Sequence, residues 1–373
     1  MTYRRLATIM GCLMGCLALA PAALPAQIGA IQITPTRGEN VSRVGTRGAN
    51  FLQLGVGARP LALAGVYAAS ASDLSSVYWN VAGLAEVQRP AVFLSRETLY
   101  GSSGLTNTFA AASLPVLSGT LGVSFTSFTS GDITRTTEAY PEGNDPVAGS
   151  FVSWSANAVG VHYARQFTDR LAFGLTGKYA TEGITFATAK YYGFDAGTRF
   201  RSGLFGTTLG ASVSNLGSAS RVRGPAVDRK CPRRDQPLFP TQRTLDCSLP
   251  TGQNQLPTML RFGIQTDIVG GAESLMGQRG PHRLALMADI NDGIDSNVMP
   301  AVAAEYVLSN RLSLRVGKRF LHDGRTEAGG TDGLGGGIGL AIPLFGRRVL
   351  VDYAYRDYGD LSNNQAFSFQ FEF

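Results

Sequence analysis

The chain has 373 residues, 16% of them charged and 44% hydrophobic, with a mean hydropathy of +0.03. That is too polar for a bundle of membrane-spanning helices, while 46 glycines are more than an ordinary soluble domain of this length carries. The formal charge of +6 falls to +4 without Arg4 and Arg5, and no basic run with interleaved aromatics exists, so no nucleic acid is expected as a partner.

Residues 1–26 read as a secretory signal peptide. Arg4 and Arg5 form its charged region, Ala7 to Ala20 its apolar region, and Ala20-Pro21-Ala22 or Pro25-Ala26 a small-residue exit. The apolar stretch is short for a membrane span. Leu13-Met14-Gly15-Cys16 is only a faint match to a lipoprotein box, because Met14 fits poorly and an apolar run follows Cys16. Residues 27–50 are rich in Gly, Arg and Thr without a period and read as an extended periplasmic arm.

Residues 51–89 change character. Small residues dominate, Arg59-Pro60 suits the start of a helix, and Ser72-Asp73 suits the cap of a second short one. Such a piece ahead of a polar-lined barrel is expected to be a plug inside the lumen; a periplasmic tail is the alternative.

From Pro90 onward short segments alternate apolar and polar residues with a period of two, the signature of half-buried strands. They run from Val92–Leu99 and Thr108–Pro115 through stretches around Val123, Val161, Phe173, Ala196, Ala211, Phe262, Leu286, Ala304, Leu314, Ile338 and Val351 to the terminal strand. The count is roughly fourteen, an even number as single-chain outer-membrane barrels require. The connections support this. Ser130–Ser150, 217–256, His322–Thr331 and Arg356–Asn363 are long or polar; the alternate ones at Thr168-Asp169, Ser202-Gly203, Ser309-Asn310 and Phe345-Gly346 are tight. Short periplasmic turns and longer external loops produce that parity, with Gly270–Pro281 as the exception.

The polar faces collect Lys178, Asp195, Arg199, Arg261, Arg283, Asp289, Glu305, Arg315, Asp352, Arg356 and Glu372. Mixed signs point to ion pairs that line the lumen and hold a plug, with a selective pore as the sharper alternative. The last strand reads Ala-Phe-Ser-Phe-Gln-Phe-Glu-Phe. Phe367, Phe369, Phe371 and Phe373 fall on one face, and Ser368, Gln370 and Glu372 on the other. A bare Phe-rich edge would invite aggregation in water. A closed barrel removes the edge and faces the aromatics to lipid. A hairpin in a soluble sandwich is the competing reading. Phe369, Phe371 and Phe373 resemble the terminal signal read by the outer-membrane insertion machinery.

Cys231 and Cys247 share the long loop 217–256 and are expected to form a disulfide. His162, His282 and His322 show no metal-ligand spacing, no Gly-x-Ser-x-Gly elbow occurs, and Gly333–Gly339 lacks a Walker lysine. Neither an enzyme nor a cofactor is expected.

The run Gly55-Val56-Gly57-Ala58-Arg59-Pro60, then Asp73 through Tyr78, Trp79, Asn80, Val81, Ala82, Gly83 and Leu84, resembles the N-terminal motif of the PorV/PorQ family. Val81 stands where that family usually has proline. Val351 through Phe373 resembles the family's final hairpin. The resemblance implies an all-β, FadL-like transmembrane antiparallel barrel of about fourteen strands, with an N-terminal plug containing short helices, in the outer membrane of a Gram-negative-type bacterium. It further implies a non-catalytic type IX secretion component, whose partners would be outer-membrane lipid, the translocon and cargo C-terminal domains. Loop 217–256 would then be the place where protein partners meet it. The alternative function is a FadL-like transporter of hydrophobic small molecules.

Overall fold

The computed structural model describes residues 45–373 except 117, 148, 233–243, 250, 272 and 321–331. The expected signal peptide and most of the expected arm lie outside these residues. The strands are β1 (Ala91–Thr98), β2 (Thr106–Val116), β3 (Gly119–Thr129), β4 (Ile133–Thr134), β5 (Phe151–Val152), β6 (Ser155–Gln166), β7 (Leu171–Ile184), β8 (Ala187–Arg201) and β9 (Thr207–Gly217). They continue with β10 (Asp228–Pro232), β11 (Thr244–Ser248), β12 (Met259–Val269), β13 (His282–Gly293), β14 (Met299–Leu308), β15 (Leu312–Arg319), β16 (Leu334–Leu344), β17 (Arg347–Asp357) and β18 (Asn363–Glu372).

Fourteen of them close into one antiparallel barrel, each paired with its neighbour in chain order, and β1 closes on β18. The other four form two small hairpins, β4–β5 and β10–β11, inside long connections. Closure leaves no edge, so every ladder hydrogen bond is satisfied within the wall.

The pleat decides what faces each way. Leu94, Val123, Val161, Leu175, Phe262, Ile290, Val316, Ile338 and Phe367 point outward and are exposed, whereas Ser95, Thr126, His162, Thr176, Ser212, Asp289, Glu305 and Ser368 point inward and are buried. A continuous apolar exterior is intolerable in water and is the natural surface of a barrel in lipid. No helix among the described residues is long and apolar enough to cross a membrane; the strands do the crossing.

The longer links lie at one end, which is therefore the external one: 130–154, 218–258 and 320–333. The opposite end carries the turns at 117–118, 202–206, 309–311 and 345–346, and the longer link at 270–281. Besides 270–281, the link between β7 and β8 departs from the parity, since they are joined externally through Thr185 and Phe186 alone. These two strands are the longest in the barrel, at 14 and 15 residues, and so carry the wall past its neighbours.

Residues 49–88 pack inside. Helix α1 (Ala58–Ala62) follows Gly57, whose φ of 88° only glycine adopts without strain, and helix α2 covers Ser76–Trp79. Ser72 does not cap α2. Instead Asp73 Oδ1 accepts from the Ser75 backbone N–H at 2.9 Å, which tightens the turn one step later. Inward glycines let the wall approach the plug backbone. A Cβ on Gly174 would lie 2.7 Å from Val81, and one on Gly335 2.8 Å from the Leu61 carbonyl oxygen; Gly197, Gly210 and Gly317 meet the plug closer still. The Gly-rich β16 is thus glycine-rich because the plug lies against it, as its composition suggests.

The described end of the arm departs from its expected periplasmic placement. Gly48 N–H donates to the Gln255 carbonyl at 3.0 Å, and Ala49 N–H to Glu182 Oε1 at 2.8 Å, both on external elements. Composition carries no directional signal, so a Gly/Arg/Thr stretch could not indicate which end it reaches.

Candidate functional site

The residues of the N-terminal motif build the plug and fasten it to the wall. Asn80 sits at the centre of this. Its Nδ2 donates to the carbonyls of Ala68 (2.7 Å) and Thr198 (3.0 Å), and its Oδ1 accepts from Ala82 N–H at 3.2 Å, starting the 3₁₀ turn Val81–Glu86. Val81 in place of proline leaves that turn intact. Ala82 and Leu84 are buried against β-strand residues such as Ala164 and Ala172. Gly83 lies against the Ala71 backbone, where a Cβ would be 2.5 Å from its oxygen. Gly55 faces the Trp79 ring, and Tyr78 donates from its hydroxyl to the Leu52 carbonyl at 3.0 Å.

Arg59 is the charged anchor. It donates to Glu305 through Nε (to Oε1, 3.0 Å) and Nη2 (to Oε2, 2.8 Å); Arg315 Nε donates to the same Oε1 at 2.6 Å, and its Nη1 to Asp352 at 2.5 Å. Arg59 Nη1 also reaches the Tyr67 hydroxyl at 3.0 Å, and that hydroxyl donates to Asp73 at 2.5 Å. Burial pushes the Tyr67 phenol well above its ordinary range, opposed by Arg59, so it remains a neutral donor.

Wall side chains also satisfy the plug backbone. Asp289 Oδ2 accepts from the amides of Tyr67 (2.7 Å) and Ala68 (2.8 Å), Gln370 from Leu74, and Ser368 from Ala58. Arg199 and Ser212 donate to the carbonyls of Ala69 and Trp79. The polar inner face therefore satisfies plug backbone groups that the plug's own turns leave unpaired. Lys178 pairs with Asp195 at 2.7 Å, as mixed-sign lining predicts. His162 is buried between Ser124 and Thr176, at 2.8 Å from each, and is a satisfied wall residue.

The register shifts at two places in the wall, between Asp267 and Val269 in β12 and between β8 and β9, and the second faces the plug. Asn215 adopts φ 62°, and two residues of β9, Ser214 and Asn215, oppose Asp195 of β8. The bulge turns Asn215 into the lumen, where Lys178 donates to it at 2.6 Å and its own amide donates to the Pro257 carbonyl at 3.1 Å.

Between the plug and the external half of the wall lies a chamber of about 220 Å³. Trp79, Leu54 and Leu61 line its plug side, and Glu97, Tyr100, Arg261, Asn291, Arg319, Arg356 and Tyr358 belong to the wall and rim. Here the expectation of paired charges fails. Among the described residues neither Arg261 nor Arg356 reaches a carboxylate within ion-pair distance. Arg319 was not singled out by the sequence at all, since it ends its strand next to the long link. On the periplasmic side a polar recess of about 440 Å³ is lined by Arg59, Glu86, Arg199, Arg201 and Asp267. No cluster of three or more metal-ligating side chains exists among the described residues.

Cys247 is disulfide-bonded; the side chain of Cys231 lies outside those described. Phe367 and Phe369 are exposed on the outer face of β18, as their alternation requires, and Phe373 just beyond it is exposed too.

No family model matches the sequence, and neither does any curated protein. Solved structures do. The toluene transporter TbuX of Ralstonia pickettii superposes with a TM-score of 0.53 at 12% identity, over 86% of this chain and 98% of that one. The P. putida toluene transporter TodX gives 0.53 at 11% identity, over 86% and 99%. A FadL homologue of Pseudomonas aeruginosa gives 0.46 at 11%, over 84% and 97%. The fold, a closed fourteen-strand antiparallel barrel, is the one the two toluene transporters share. At such identities the likeness is one of architecture, and the PorV/PorQ resemblance of the plug motif is matched by no family model.

Proposed function

We propose that this barrel transports hydrophobic small molecules across the outer membrane. The external chamber carries the reading: a recess between plug and wall in which Trp79, Tyr100, Tyr358, Leu54, Leu61, Met259 and Met299 offer apolar surface to a solute leaving water. The architecture shared with two toluene transporters supports it. Passage then requires rearrangement of the plug, because the lumen below the chamber is filled by residues 56–85. Uptake of labelled toluene by cells lacking other such channels, with and without this barrel, tests the proposal. Equal uptake would end it.

The secretion reading rests on the motif residues Gly55–Leu84 and on Val351–Phe373 alone, and predicts cargo or translocon proteins recovered with the barrel from native membranes. In either case the reading includes export by the signal peptide, insertion guided by Phe369, Phe371 and Phe373, and a Cys231–Cys247 staple in the external loop.

A further inference from the structure

The chamber has an imbalance that a purely apolar cargo would not use. Its lining holds three arginines, Arg261, Arg319 and Arg356, against one carboxylate, Glu97. Glu97 is itself engaged, accepting from Asn364 Nδ2 at 2.7 Å. Arg356 is 3% exposed; its Nε has no hydrogen-bond partner among the described residues, and its guanidinium lies 4.7 Å from the Tyr358 ring centre. Arg261 is 2% exposed and its Nε is equally without a partner. Its Nη1 donates to Ser214 at 2.8 Å, and its guanidinium lies over the rings of Tyr78 and Trp79. Arg319 donates through Nε to the Ala64 carbonyl at 3.2 Å and forms no ion pair among the described residues. Asn291, 2% exposed, lines the same space with both amide atoms unsatisfied.

Buried donors left without acceptors, and buried cations beyond ion-pair distance of a carboxylate, are costly. Other buried arginines of this lumen are paired: Arg59 and Arg315 share Glu305, and Arg199 meets Glu86. Arg261, Arg319 and Arg356, which form no ion pair among the described residues, share one space with aromatic walls. A volume of 220 Å³ corresponds to roughly seven waters at ~30 Å³ each, enough for a compact ring bearing one polar group.

We infer that the chamber is an anion site whose ligand is the carboxylate of a small aromatic acid. The guanidiniums of Arg261 and Arg356, with the Asn291 amide, supply the donors, and Trp79, Tyr100 and Tyr358 receive the ring. This deepens the transport reading by naming a substrate class, and it rests on that reading only for the direction of passage.

The test is equilibrium binding in non-ionic detergent. In a W154F background Trp79 is the sole tryptophan, because the chain has two. Its fluorescence is titrated with benzoate, with benzyl alcohol as the uncharged comparator, and with sodium phosphate and chloride as inorganic anions. Benzoate binds saturably and at least about tenfold more tightly than benzyl alcohol, the margin a charge-assisted hydrogen bond provides. R356Q and R261Q each lower benzoate affinity about tenfold and leave benzyl alcohol unchanged, while R356K retains part of the affinity. Heat-modifiable gel mobility confirms that each variant is a closed barrel. Should R356Q and R261Q not assemble, N291L reports instead, with weaker benzoate binding expected. Benzoate and benzyl alcohol binding alike, no saturable benzoate signal, or phosphate and chloride binding as well as benzoate would each overturn the assignment. Toluene uptake without benzoate binding would overturn this inference alone; benzoate binding without uptake would overturn only the transport reading.

Discussion

Replacing Glu305 with glutamine keeps its volume and removes the anion that joins plug to wall. Two guanidiniums lose a charged acceptor at once, Arg59 at 2.8 Å and Arg315 at 2.6 Å. Breaking a buried pair costs about 3–5 kcal/mol. The lower end applies, because Arg59 keeps Asp73 at 3.4 Å, Arg315 keeps Asp352 at 2.5 Å, and the Arg59 side chain retains 18% exposure. Unfolding entropy of about 2.1 cal/mol/K per residue over the roughly 330 residues from Arg43 to Phe373 gives about 0.7 kcal/mol/K. A loss of about 3 kcal/mol then lowers the melting midpoint by about 4 °C. Thermal melts in detergent, followed by far-ultraviolet circular dichroism and tryptophan fluorescence, measure it; Trp79 reports on the plug. R59Q/E305Q should melt higher than the sum of the single losses predicts, since no plug cation then lacks its partner. A midpoint for E305Q within about 1 °C of the parent would refute the view that this network fastens the plug.

Gly210 faces the Ala68 backbone, so G210V should push the plug off the wall and raise conductance in planar bilayers; G177A, where a Cβ meets nothing within 4 Å, should leave it unchanged. Deleting Phe373 should slow assembly, read as a smaller heat-modifiable fraction after a short induction, with the mature barrel melting as before. The C231S/C247S pair should hasten proteolysis within loop 217–256 and leave the barrel's melting midpoint in place, because the proposed Cys231–Cys247 staple would close an external loop only. Asp289 holds two plug amides, and D289A should cost about 2 kcal/mol or more by leaving both unsatisfied, measured on the same melts.

All fourteen wall strands were legible because each has one face in lipid and one in the lumen, which imposes a period of two that residues such as Leu121, Val123 and Phe125 display openly. Loop parity was legible for a similarly local reason. The hairpins β4–β5 and β10–β11 were not; β4–β5, exposed at both strands, needs no alternation. The inward charges were identified by register, yet their partners were not. Whether Arg315 meets Glu305 and Asp352 while Arg356 meets no acid depends on neighbours across the wall and on the plug. The chamber therefore emerges only in three dimensions. Its one sequence signal, Arg261 and Arg356 on polar faces, is shared by arginines that are paired.

The seam between β1 and β18, in register from Ala91 opposite Glu372 to Thr98 opposite Gln365, fixes an order of events. Every other wall pairing joins neighbours along the chain and can zip as it is delivered; this one must wait until both have arrived. Residues 49–88 come just before β1, and the Phe373 amide donates to the Pro90 carbonyl at 2.9 Å, so the last stitch is tied to the doorway of the interior segment. Sewing the wall shut with that segment outside would leave no route for it to enter sideways. The cylinder has to be wrapped around its contents, and a separately supplied peptide should not refill an empty one.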